Sequence, residues 1–108
     1  MPLSQLELLA LVSVARLGKD AYAVTIHEHI ASLTGRDASM AALYAALDRL
    51  ERQALVEPWQ SEPKPQRGGR SRRHFNLTEG GRATLRTERA LADKMWRGMP
   101  LPADGRRR

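Results

Sequence analysis

Residues 39–81 read SMAALYAALDRLERQALVEPWQSEPKPQRGGRSRRHFNLTEGG, a periodic segment followed by two short extended segments around an arginine-rich tip. Apolar residues of the first part recur at three- and four-residue intervals and are Leu43, Leu47, Leu50 and Ala54. This spacing predicts a helix over 39–54 with one apolar face. Ser39 suits the N-cap, because its hydroxyl can accept a hydrogen bond from a free amide of the first turn.

The two extended segments predict a β-hairpin. Residues 55–60 and 73–77 roughly alternate apolar and polar side chains, and Pro58 is tolerated only on a sheet edge. Between them, residues 61–72 form a basic tip around Gly68-Gly69. A helix followed by such a hairpin is the order of a DNA-reading helix and its wing.

Three further helices are predicted around this segment, over 5–17, 21–33 and 78–96. The first is apolar on nearly all sides and therefore central, with Ser4 and Glu7 as a capping box and Gly18 as its stop. The second carries one apolar stripe and ends at Gly35; the stripe is Tyr22, Ile26, Ile30 and Leu33. The fourth has Thr78 as its cap.

These elements predict a mainly α fold with a small β-hairpin. It is a winged helix-turn-helix over residues 1–78, followed by a C-terminal dimerisation helix over 79–99. Pro100 and Pro102 close that helix, and residues 100–108 are expected to be a disordered basic tail.

Charge is spread unevenly along the 108 residues. The net charge of +6 divides into −1 for residues 1–56, +3 for 57–76 and +4 for 77–108. The excess of positive charge in the wing and tail indicates an anionic partner such as nucleic acid. Residues 3–17 are too short and interrupted to span a bilayer, and no basic segment precedes them as a secretory signal would require. We therefore expect a cytoplasmic protein without membrane contact.

The sequence offers little for enzymatic chemistry. It has no cysteine, which excludes disulfides, thiolate nucleophiles and the usual zinc-finger ligands. His27 and His29 stand two apart on a predicted helix, so they face different sides and are expected at the surface. For His74, among the wing cations, a phosphate contact is more plausible than catalysis. We expect no enzyme, no cofactor and no metal.

Several short motifs together resemble the PadR-like transcriptional regulators over about residues 6–92. They are Ala21-Tyr22, Ser39-x-x-x-Leu43-Tyr44-x-x-Leu47-x-x-Leu50-Glu51, Leu55-Val56, Arg72-Arg73-His74-Phe75 and Leu77-Thr78-Glu79-x-Gly81-Arg82. The resemblance implies a homodimeric winged-helix repressor of a palindromic operator, often responsive to a small aromatic or hydrophobic effector. With one C-terminal helix, the chain looks like a short member. Met40-Ala41-Ala42 stands where many members have Pro-Gly-Thr, so the family's base contacts do not transfer.

The candidate contacts to double-stranded DNA lie on the third helix and the wing. They are Ser39, Ala41, Ala42, Tyr44, Ala45, Arg49, Arg67, Arg70, Arg72 and Arg73. The alanines permit close approach to base edges, although they are also simply good helix formers. Tyr44 either reaches a phosphate or is structural. Arg49 and Arg52 either contact phosphates or pair with acids on their own helix. The wing arginines have no acidic neighbour after Glu62, which favours phosphates.

The fourth helix carries an apolar seam, interrupted only at Glu88. The candidate dimer-interface residues are Leu85, Leu91, Ala92, Met95, Trp96 and Met99. A monomer could fold this seam onto its own first helix. Because the core is so small, burial of the seam against a second subunit is the preferred interpretation. Met95, Trp96 and Met99 either line an effector pocket or are interface packing. The alternative to a regulator is a winged-helix module that binds protein or RNA without operator specificity.

Overall fold

The computed structural model describes residues 2–61 and 72–101 of the chain. Within them the chain forms four α-helices and one antiparallel hairpin. The helices are α1 (Gln5–Leu17), α2 (Ala23–Thr34), α3 (Met40–Arg52) and α4 (Glu79–Trp96), and the strands are β1 (Val56–Gln60) and β2 (Arg73–Leu77). A 3-10 turn, Gly18–Asp20, joins α1 to α2. The predicted fold class is confirmed.

Helix α1 is the centre of the core. It contacts α2, α3, α4 and β2, and it buries Ala10, Leu11 and Val14. The other buried apolar residues come from α2, α3, the hairpin and the turn before α2; they are Ala21, Ile26, Ile30, Leu43, Ala46, Leu47, Leu50, Val56 and Phe75. Burial of this shared apolar surface orients α3 and the hairpin on one scaffold.

The predicted helix caps are present. The N–H of Glu7 donates to Ser4 Oγ (3.1 Å) while the N–H of Ser4 donates to Glu7 Oε1 (2.9 Å), which completes the capping box. Ser39 Oγ accepts from the N–H of Ala42 at 3.0 Å. Thr78 closes the first turn of α4 in the same way. Local sequence therefore sets where these helices begin.

Three details of the predicted helices are wrong. Helix α2 begins at Ala23 rather than Ala21, because Ala21 pairs with the hairpin: its carbonyl accepts from the N–H of Phe75 at 2.9 Å. Helix α3 ends at Arg52, and Ala54 is exposed with a φ of 60°, so Ala54 leaves the apolar face. Leu33 is 48% exposed and does not extend the α2 stripe into the core.

The hairpin pairs Val56 with Leu77, Pro58 with Phe75 and Gln60 with Arg73. Pro58 is tolerated because each strand of a two-stranded sheet has a free edge. Arg67, Arg70 and the Gly68-Gly69 tip lie outside the described residues, as do residues 102–108 of the predicted tail.

Helix α4 is fixed to the hairpin through a glycine. A Cβ built on Gly81 would lie 2.2 Å from the carbonyl oxygen of Leu55, so only glycine permits this approach. Beside it, Thr78 Oγ1 donates to the carbonyl of Ala54 at 2.7 Å. Among the described residues, no helix combines the length and apolar character needed to cross a bilayer.

Candidate nucleic-acid interface

One face of α3 is exposed and, apart from Tyr44, begins with small side chains. All five of its predicted DNA-contact residues before Arg49 are exposed: Ser39, Ala41, Ala42, Tyr44 and Ala45. The opposite face is buried through Leu43, Ala46, Leu47 and Leu50. Small side chains on an exposed helical face can approach the edges of bases in a major groove closely. Tyr44 is 57% exposed and available for contact.

A groove of about 510 Å³ lies beside this face. Its lining includes Tyr22 and Val24 at the start of α2, Tyr44 and Glu51 on α3, and Arg72 before β2. The fold thus brings the base of the wing and the start of α2 beside Tyr44. Asp48 also lines the groove, whereas Ser39, Ala41, Ala42 and Ala45 are not among its lining residues. We call it the α3–wing groove.

Arg72 is held by an aromatic ring. Its guanidinium carbon lies 4.7 Å from the centroid of the Tyr22 ring, and its Nη1 donates to the Tyr22 hydroxyl at 3.2 Å. The backbone N–H of Arg72 donates to Ser61 Oγ at 2.9 Å. A cation held over a ring keeps its full charge, so Arg72 remains suited to an anionic ligand.

Arg73 has an acidic partner that the sequence analysis did not anticipate. Its Nη2 lies 2.6 Å from Glu51 Oε1 at the end of α3. The expectation that no carboxylate accompanies the wing arginines is therefore wrong for Arg73. Glu51 lies 22 residues away in sequence, and only the packing of the hairpin beside α3 brings the two charges together.

The guanidinium of Arg49 is bonded to an acidic residue of α1. Its Nε donates to Glu7 Oε2 of α1. The two partners predicted from the sequence, a phosphate or an acidic residue of the same helix, did not include Glu7. Glu7 is almost completely buried. Hydrogen bonds from the Arg49 guanidinium and the backbone N–H of Ser4 hold the pKa of the Glu7 carboxyl below its ordinary value. Arg52 does pair within α3, with Asp48 at 2.9 Å.

The apolar seam of α4 is mostly uncovered. Leu85 packs against the core, but every residue from Arg89 to Pro100 is exposed, including Ala92. The large apolar residues of this part are 51–59% exposed and are Leu91, Met95, Trp96 and Met99. The helical spacing stops at Trp96, because Gly98 turns the chain with a φ of 69° and Met99 lies beyond it.

Residues 10–87 match the transcriptional regulator PadR-like family. The chain belongs to this family. Its fold is also shared with solved PadR-like structures at low sequence identity. A PadR family transcription regulator from Clostridium difficile R20291 superposes with a TM-score of 0.73 at 21% identity, covering 87% of this chain and 93% of that one.

A PadR-like transcription factor from Bacteroides fragilis superposes with a TM-score of 0.66 at 23% identity, covering 84% of this chain and 85% of that one. A PadR family regulator from Eggerthella lenta gives a TM-score of 0.65 at 22% identity, with 83% and 76% coverage. Comparison with curated proteins found no match. The recognised family is confirmed, and with it a role in transcription regulation.

The histidines of this PadR-like chain are structural, which corrects the sequence analysis. His74 is buried, with Nδ1 2.9 Å from the carbonyl of Lys19 and its ring stacked on Trp59 at 4.2 Å. Its Nδ1 therefore bonds to the 3-10 turn before α2, and its ring is buried rather than available to a phosphate. His27 and His29 are half-buried, bonded to the Ala38 carbonyl and Ser13 Oγ. In the described part of the chain, no three acidic or histidine side chains are grouped to hold a metal ion.

Two of the groove residues that the sequence analysis missed, Tyr22 and Glu51, contact the wing arginines. Tyr22 was assigned to the core stripe of α2, and Glu51 to a pair on α3 itself. The one sequence signal for Tyr22 was its place in the Ala21-Tyr22 motif. No local signal linked either residue to the wing.

Proposed function

We propose that this protein is a homodimeric transcriptional repressor that binds a palindromic operator. The observation that carries the proposal is the α3–wing groove, where Tyr44 of the exposed α3 face and Arg72, which has no acidic partner among the described residues, line one surface. In this proposal α3 enters the major groove and the wing follows the DNA backbone.

In this proposal α3 contacts DNA mainly through small side chains. Ala41, Ala42 and Ala45 approach base edges and thymine methyl groups, and Ser39 lies at the helix start where phosphates are favoured. Tyr44 contributes its hydroxyl to a phosphate. The specificity therefore rests on shape and methyl contacts more than on long polar side chains.

The wing supplies sequence-independent affinity. Arg72 meets a phosphate in this proposal, together with Arg67 and Arg70 of the tip. Arg73 contributes less because Glu51 offsets its charge. Arg49 serves the fold through Glu7 and is left out of the proposed contacts.

The proposed dimer forms through α4. Leu91, Met95 and Trp96 are each more than half exposed, and a two-fold axis would cover them with the same residues of a second copy. The two α3 helices would then address half-sites about one helical turn of DNA apart. Met99 joins this surface from outside the helix.

A small aromatic or hydrophobic effector is proposed to bind near Met95, Trp96 and Met99, since thioether and indole groups pack well against planar molecules. Such an effector would release the operator by altering the spacing of the two subunits. The role is one of binding and regulation rather than catalysis, and it places the protein in the cytoplasm with the chromosome.

Selection from random duplexes at physiological salt tests the proposal. Enrichment of one palindrome is the expected result. Flat recovery would contradict operator specificity and favour the winged-helix module that binds protein or RNA. Repeating the selection with Ala42→Glu, which places a carboxylate on the α3 face, shows whether the enriched sequence depends on that face.

A further inference from the structure

Tyr22 touches Arg72 in two ways, although the residues are 50 positions apart. The guanidinium lies 4.7 Å from the ring centroid, and Nη1 donates to the hydroxyl at 3.2 Å. An exposed arginine side chain would otherwise sample many rotamers. The two contacts restrict it to the side of the α3–wing groove.

Tyr22 itself is fixed to the wing. Its backbone pairs with His74 as an isolated antiparallel bridge, and its ring lies 5.1 Å from the His74 ring. The N–H of Tyr22 donates to Thr25 Oγ1 at 3.0 Å. The carbonyl of the preceding Ala21 accepts from the N–H of Phe75 on β2, and Tyr22 itself is bonded to the first turn of α2, so the backbone that carries the Tyr22 ring is anchored beside β2.

The neighbouring arginine shows the contrast. Arg73 is ordered by a carboxylate, which offsets its charge. Arg72 is ordered by a neutral ring, and within residues 2–61 and 72–101 no carboxylate lies within ion-pair distance of it. Of the two, only Arg72 is both restrained and without an acidic partner among the described residues, so no carboxylate there competes with a phosphate for its guanidinium.

We infer that Tyr22 is a positioning residue for DNA binding, holding the Arg72 guanidinium at the α3–wing groove where it meets a backbone phosphate. The inference rests on the proposed function and adds a residue to it. Ordering one rotamer-rich side chain in advance corresponds to about a 3- to 10-fold gain in affinity.

A double-mutant cycle on the selected operator tests this inference. Dissociation constants are measured over a range of salt for the unmodified protein, Tyr22→Leu, Arg72→Ala and the double variant. We expect Arg72→Ala to lower the slope of log K against log salt by about 0.9. Tyr22→Leu should weaken binding about 3- to 10-fold alone and by less than about 2-fold once Arg72 is absent.

Two variants separate positioning from a merely structural role. Tyr22→Phe keeps the ring and should bind within about 3-fold of the unmodified protein. Arg72→Lys keeps the charge but loses the planar contact with the Tyr22 ring, so it should bind DNA about 3- to 10-fold more weakly. This variant tests the inference independently if Tyr22→Leu does not fold. Arg89→Ala, which removes an arginine from α4, is the matched control and should leave the affinity within about 2-fold.

An equal effect of Tyr22→Leu with and without Arg72, or full affinity for Arg72→Lys, would overturn the inference and leave the proposed function intact. If the unmodified protein enriches no palindrome, the proposed function fails and the inference fails with it. Failure of the inference is measured on the variants, and failure of the proposed function is measured on the unmodified protein, so the two are distinguishable.

Discussion

The guanidinium of Arg73 on β2 lies 2.6 Å from the carboxylate of Glu51 on α3, and this ion pair joins the wing to the helix that we propose reads the operator. Both side chains are partly exposed, at 51% and 32%, so the pair adds little stability. Its larger effect is electrostatic, because it places a negative charge beside the proposed DNA-binding face and offsets a positive one.

Glu51→Gln should therefore strengthen DNA binding. Releasing Arg73 would add a phosphate contact and steepen the salt slope by about 0.9. Fluorescence anisotropy with operator and random duplexes at several salt concentrations would measure it, and both duplexes should gain similarly. Asp93→Asn is the matched control, since it removes the acidic partner of Arg89 on α4. Weaker binding by Glu51→Gln would show that Glu51 supports the interface.

Ala45→Glu should strongly weaken operator binding while keeping α3 intact. The side chain is exposed and glutamate is a good helix former, so thermal stability should change by less than about 0.5 kcal/mol. Against phosphates the carboxylate should weaken binding about 100-fold. Ala45→Gln has nearly the same size without the charge and separates repulsion from bulk. Unchanged affinity in folded Ala45→Glu would remove this face from the interface.

Leu91→Arg with Met95→Arg should convert the proposed dimer to monomers that remain folded. The two positions are exposed in the single chain, so the variant changes only a surface that a second copy would cover. Sedimentation velocity would show the monomer, and operator affinity should fall about 100-fold or more with the loss of the second half-site. Ala83→Arg with Ala90→Arg, on the opposite side of α4, should remain a dimer. A dimeric Leu91 and Met95 variant would place the interface elsewhere.

Glu7→Gln should remove one source of acid sensitivity. The pKa of Glu7 is lowered in the folded state, so its contribution to stability is present above about pH 4.3 and is lost as the pH falls through the folded pKa. At pH 7 the variant should be less stable by about 1–3 kcal/mol, and the difference should shrink below pH 4. Chemical denaturation between pH 3 and 7 measures this. Glu28→Gln, an exposed control, should match the unmodified protein; a difference that is constant with pH would contradict the assignment.

Gly81→Ala and Gly80→Ala should have opposite effects. The new Cβ at Gly81 would lie 2.2 Å from a backbone carbonyl, whereas at Gly80 the nearest atom is 3.5 Å away. We expect Gly81→Ala to cost about 1–3 kcal/mol through overpacking. Gly80→Ala should gain about 0.5 kcal/mol by reducing the entropy of the unfolded chain. Thermal unfolding of both would check the contrast, and equal stabilities would mean that α4 is not held close to Leu55.

The sequence by itself determined the elements and their order. Ser4, Glu7, Ser39 and Thr78 start helices through hydrogen bonds that span three residues, and the apolar spacing of α3 assigns its buried and exposed faces. Such signals are local, because the residues that interact are close together along the chain. Even the exposed seam on α4 follows from spacing as far as Trp96.

Only the tertiary structure decided which charges remain free and how the wing is held. Arg73 meets Glu51, Arg49 meets Glu7, and Arg72 meets Tyr22, across 22, 42 and 50 positions. His74, which the sequence places next to Arg72 and Arg73 on a wing strand, is buried against Trp59. The Arg49–Glu7 contact forms when α3 packs on α1, and the others form when the hairpin packs beside α3 and the turn before α2. Burial fixes these backbones, and no periodicity along the chain encodes which side chains then meet.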